Sequence, residues 1–194
     1  MLILQGYTDY PTETNLSWLS PSATHVVQNM DKIFRESSPL LLRHFCRTRD
    51  NCGNRKVPGK DIIKSLIFQL LRNDVGMSLL QDNSHYEHVE RSIDSVNTID
   101  VERSTEIVRT YFAILKDLIS IVKIQQALIV LDRLDVVQGD IEAFVSSLVE
   151  LVSGCHGKVK VMLTICGVHA FDEYDMKRLL TGDGYRILRI DQGE

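Results

Sequence analysis

Two stretches of the chain hold residue types that could meet a phosphate group or a metal ion. In ALIVLDRLD, residues 127–135, an apolar run ends at Asp132, and a second carboxylate, Asp135, follows shortly after. Such a run reads as a buried strand. In open parallel sheets ligands sit outside the carboxyl ends of the strands, and a carboxylate there can hold magnesium through water. It can equally bond neighbouring backbone amides and do no chemistry; the residue types alone leave both readings open. The second stretch, GNRKVPGKDIIKSL at 53–66, sets glycines and a lysine ahead of a helix-like pattern. A GxxxxGK[ST] loop cradles phosphates with inward N–H groups, neutralises them with its lysine and places its hydroxyl on magnesium. Here Gly53 and Gly59 are separated by five residues rather than four, and the hydroxyl place is taken by Asp61, whose charge would repel phosphate. Pro58 and Gly59 instead read as a turn, with Asp61 favourably placed in the first turn of a helix. Arg47, Arg49, Arg55, Lys56 and Lys60 then form a solvated basic loop, which could alternatively dock an acidic protein partner.

Other constellations are thinner. His85 and His88 share one helix face near Glu87 and Glu90, a spacing that admits a metal but reads first as a solvated polar face. Cys155 and His156 stand at a helix end with no third partner, so no nucleophile is assigned. Cys46, Cys52, Cys155 and Cys166 show neither CxxC nor zinc-ligand spacing, which fits a reduced, cytoplasmic setting, and Cys46 reads as a small core residue.

The positions around these residues follow two rhythms. Residues 1–22, turn-rich with Pro11 and Pro21, read as an irregular lead-in. A helix over 23–36, capped by Ser22, would bury Val26, Val27, Met30, Ile33 and Phe34. PLLLRHFCR at 39–47 reads as a strand, 59–73 as an amphipathic helix, 84–92 as a short helix, and 101–123 as a long helix capped by Asp100. A strand within 125–137, a helix from 141 capped by Asp140 and closed by Gly154 at C′, and a strand at 158–165 follow. A short helix near 171–180 and a strand at 185–190 complete the pattern. Continuous apolar strands alternating with amphipathic helices imply a three-layer α/β domain over 23–194. Its sheet would be mostly parallel, with helices on both faces.

The 194 residues are enough for a substantial core, and 44% hydrophobic content is ordinary for a globular chain. A net charge of -4 gives no general attraction to nucleic acid or anionic membrane. No apolar stretch has bilayer-spanning length, and the N-terminus lacks a basic signal-like region, so neither nucleic acid nor membrane is an expected partner.

Three blocks, taken together, resemble the NACHT-type NTPase domain of the STAND class, especially the fungal nephrocystin-3-like N-terminal domains. LLLRHFCRTRD with DIIKSLIFQLL is similar to that family's second strand and following helix. ALIVLDRLD with FVSSLVELVS resembles its Walker B strand and helix, and VKVMLTICG its sensor strand. The resemblance spans about residues 23–190 and implies a P-loop NTPase fold whose phosphate loop lies ahead of the first helix, near 18–24. What stands there is WLSPSATH. Trp18 and Leu19 resemble the residues that often precede the loop, but no glycine occurs between Gly6 and Gly53 and no lysine before Lys32. The acid that usually follows the second Walker B aspartate is Val136. Thr164 of the sensor strand is kept, while the arginine place is Cys166. The resemblance therefore implies a degenerate, truncated module lacking Walker A that does not hydrolyse nucleotide. It would serve as a scaffold or interaction domain, or as a fragment of a larger signalling switch, with protein partners and possible self-association. The alternative it implies is an ATP- or GTP-binding domain. Asp132 and Asp135 would then hold magnesium, Thr164 would lie beside the nucleotide, and an unusual loop around Ser20 to Thr24 would touch phosphate.

Overall fold

The computed structural model describes residues 1–6, 20–29, 32, 39–46, 57–99, 104–122, 124–134, 137–138, 141–155, 158–166 and 186–190. The main sheet is built from β1 (Leu2–Gly6), β2 (Leu40–Phe45), β4 (Ala127–Asp132), β6 (Val159–Cys166) and β7 (Arg186–Ile190). All pairings are parallel, and the order across the sheet is β2-β4-β6-β1-β7. A second, two-stranded sheet joins β3 (Val57–Pro58) to β5 (Val137–Gln138). The helices are α1 (Ser20–Gln28), α2 (Gly59–Arg72), α3 (Asp74–Leu80), α4 (Asn83–Asn97), α5 (Ser104–Ile121) and α6 (Ile141–Gly154).

The strand order decides which face each helix covers. From β1 the chain travels three places across the sheet to β2, whereas β2 to β4 and β4 to β6 run the opposite way. Right-handed crossovers in opposite directions put their helices on opposite faces. The apolar side chains divide accordingly. On one face Ala23, Val26 and Val27 of α1 pack on Leu4, Leu128, Val130 and Met162. On the other, Ile62, Leu66, Leu115, Phe144 and Leu148 from α2, α5 and α6 pack on Ile3, Leu42, Ile129, Leu131, Val161 and Leu163. Each fully buried Leu, Ile or Phe contributes about 1.5–3 kcal/mol. Every residue of β4 is buried, because a strand covered on both faces alternates between two cores rather than between core and water.

Several sequence expectations are corrected by this arrangement. Residues 1–22 are not an irregular lead-in throughout: Leu2–Gly6 forms β1, paired on both sides by β6 and β7. Ser22 is not an N-cap, and Ser20 to Thr24 are helical rather than a loop, since α1 already begins at Ser20 and not at residue 23. Gly154 is the last residue of α6 rather than its C′ residue. The short helix expected at 84–92 is the fifteen-residue α4, whose N-cap, Asp82, accepts from the N–H groups of Ser84 and His85, and it is preceded by a further helix, α3. Pro58 and Gly59 do not form a turn of their own: Pro58 ends β3 and Gly59 begins α2, with Asp61 in its first turn as expected. Of the expected basic loop, 47–56 lies outside the described residues, while Val57 belongs to β3 and Lys60 to α2 rather than to a loop; the 171–180 helix, Asp100 and Asp140 also lie outside the described residues.

Candidate functional site

Asp132 ends β4 with 0% exposure. The register Leu131↔Leu163 sets Thr164 beside it on the neighbouring strand, and the register Leu4↔Thr164 ties Thr164 to β1. Alternation along β4 sends Leu131 toward the α2–α6 core and Asp132 toward the α1 face. There it meets the start of α1. Ser20 Oγ donates to Asp132 Oδ2 at 2.5 Å, and Thr164 Oγ1 donates to Asp132 Oδ1. The Arg133 N–H donates to Thr164 Oγ1 at 2.9 Å, which fixes the hydrogen of Thr164 on the carboxylate. Ser20 and Thr164 are as buried as the acid, at 1% and 0% exposure.

Burying a carboxylate is costly unless hydrogen bonds replace its water. Two hydroxyl donors do so here, and the N-terminus of a nine-residue helix adds a favourable field. The backbone bends sharply at this point. Arg133 has φ 61°, the left-handed region that a non-glycine residue occupies at a cost of about 1–2 kcal/mol. Its bond to Thr164 helps hold that turn, and Cys46 N–H anchors the other side by donating to Asp132 O at 3.1 Å. Strain of this kind gathers where side chains are being aimed.

The cluster therefore joins three elements at the carboxyl edge of the sheet, where β4 exits toward one face and β1 toward the other. This is the edge at which open α/β sheets take ligands. Of the site residues read from sequence, Asp132 and Thr164 are brought together. Asp135, with Val136, Trp18 and Leu19, lies outside the described residues, and so does the side chain of Cys166. Ser20 was read as the start of a phosphate-touching loop; it instead opens α1, and its bond to Asp132 was not anticipated. Its signal was the Ser20-Pro21 pair, since proline favours the first turn of a helix.

His85 Nδ1 lies 3.8 Å from Asp82 Oδ2 on an exposed helix start. Among the described residues no group of three or more His, Cys, Asp or Glu is placed to hold a metal. Cys155 is buried, and that burial pushes its thiol up, with Lys116 and Lys158 pulling the other way, so the reactive thiolate is disfavoured. His156 lies outside the described residues. Among the described residues no helix is long and apolar enough to cross a membrane.

The architecture defines an α/β protein with a parallel sheet flanked by helices, compatible with a Rossmann-like or P-loop-like fold. No protein-family model matches the chain, and no curated protein matches it.

Proposed function

We propose that the chain is a degenerate NTPase-like module of the NACHT and STAND type. It does not hydrolyse nucleotide, and it acts as a scaffold or interaction domain or as one part of a larger signalling switch. The observation that carries this reading is the closure of Asp132 by Ser20 and Thr164. The strand-end acid works as a clasp between α1 and the sheet. The connection from β1 to α1, where a phosphate cradle would have to form, reads YTDYPTETNLSWL. It has no glycine to let the backbone wrap a phosphate and no lysine or arginine to neutralise one, and it carries Asp9 and Glu13. Loss of a single transition-state contact costs about 10²–10³ in rate. Here the cradle, its lysine, the acid replaced by Val136 and the arginine replaced by Cys166 are all changed.

The same pair of residues favours a second reading. A hydroxyl at a helix start beside a strand-end aspartate is the arrangement that holds magnesium in P-loop enzymes. In that reading Ser20 and Asp132, with Asp135, hold magnesium for ATP or GTP.

Titration of fluorescent ATP and GTP, with magnesium, against the purified chain separates the two. The module reading expects no saturable binding at millimolar nucleotide. Saturable binding that disappears in both Ser20→Ala and Asp132→Asn, in variants still folded by circular dichroism, would establish the nucleotide-binding reading instead.

A further inference from the structure

Among the described residues β2 is the outermost strand on one side of the sheet. Its even-numbered residues serve the ladder to β4: Leu40 N–H donates to Gln126 O at 2.9 Å, and Cys46 N–H to Asp132 O at 3.1 Å. In a parallel pair the N–H and C=O of one residue point the same way and alternate along the strand. The main-chain groups of Leu41, Arg43 and Phe45 therefore face away from the sheet. A row of that kind is a template for another strand.

At the middle of this row the template is already occupied. Arg43 N–H donates to Gln69 Oε1 at 2.9 Å, and Gln69 Nε2 donates back to Arg43 O at 2.7 Å. A side-chain carboxamide carries one C=O and N–H donors, the same groups as a peptide unit. Bonding both main-chain groups of one residue reproduces what a neighbouring strand would do. Gln69 Nε2 also donates to Ser65 Oγ at 3.2 Å, one turn earlier on α2, which holds the side chain in this pose.

We propose that Gln69 is an edge guard that keeps β2 from pairing with β2 of a second copy of this chain. Each copy carries the same edge, so antiparallel pairing about a two-fold axis would be self-complementary and would fuse two sheets into one. The guard is independent of whether nucleotide binds, because it lies at the sheet's side edge and not at its carboxyl end.

Sedimentation over a concentration series of the full chain, with hydrogen exchange at β2, tests this. Gln69→Ala is expected to associate at concentrations about tenfold below those at which the parent chain does. Adding Arg43→Pro removes the outward N–H without touching the β4 ladder, and it should return association to the parent level. Unchanged association in Gln69→Ala overturns the proposal, and so does association that persists in the double variant. If Gln69→Ala melts at the working temperature, Gln69→Met replaces it, with the same expected association: its thioether keeps the side-chain length but offers Arg43 neither the amide hydrogen nor the carbonyl oxygen.

Discussion

Thr164 works through both ends of its hydroxyl, giving a hydrogen to Asp132 and taking one from Arg133 N–H. Thr164→Val keeps the shape and takes one buried hydrogen bond from each of Asp132 and Arg133, so the unfolding free energy should fall by about 2 kcal/mol in urea titration. Thr164→Ser keeps the hydroxyl and loses one methyl, at about 1 kcal/mol. Equal losses in the two variants would show that packing, and not the hydroxyl, matters there. A second residue-scale test concerns His44 on β2. Burial holds its imidazole below the ordinary value of 6.5, with Asp61 pulling the other way. The unfolded chain then takes up a proton before the folded one does. Stability contributed at this site is complete above pH 6.5 and declines as pH falls below it, levelling once the folded-state value is passed. His44→Gln should flatten that part of the profile of denaturation midpoints, and superimposable profiles would exclude His44 as the cause.

Elements differ in how openly the sequence announced them. The stripes of α2 and the apolar runs of β4 and β6 were legible because each buries a continuous set of side chains: Ile62, Ile63, Leu66, Ile67 and Leu70 in α2 are all buried. By contrast α4 buries only Val89 and Val96, so its period is faint amid polar residues, and only part of its length was read. The junction between α2 and α3 carries the sharpest steric demand. A Cβ at Gly76 would sit 2.0 Å from the backbone oxygen of Leu70, which cannot swing aside. Gly76→Ala should cost about 3 kcal/mol by forcing α3 off α2. Gly59→Ala, where a Cβ would lie 3.1 Å from the ring of Phe144, should cost less, about 1 kcal/mol. Thermal melts of the two variants give the comparison, and a milder effect at Gly76 would mean the helices re-pack freely.

On the scale of the whole molecule, the parallel sheet class was legible from its apolar runs, and Asp132 was legible as the acid that ends one of them; the contact between Asp132 and Thr164 was not, because Thr164 lies inside β6 and meets the acid only through the register of the two strands. Two further things were not. The segment LILQG has no local sign of its place, since its burial depends on β6 and β7, more than half the chain away. Ser20 and Ser22 looked alike as helix starts, and only Pro21 between them distinguishes the first. The clasp at Asp132 thus joins residues from the two parts of the sequence, Ser20 and Thr164, that local patterning is least able to relate.

That placement of β1 has a consequence during translation. Its neighbours are synthesised long after it, at a ribosomal pace that puts roughly 10–30 s between Leu4 and its partner Thr164. For that interval a short greasy ribbon waits outside the exit tunnel with nothing to zip onto. A transcript cut short before residue 159 would leave it waiting permanently, and quality control would meet an orphan rather than a smaller domain.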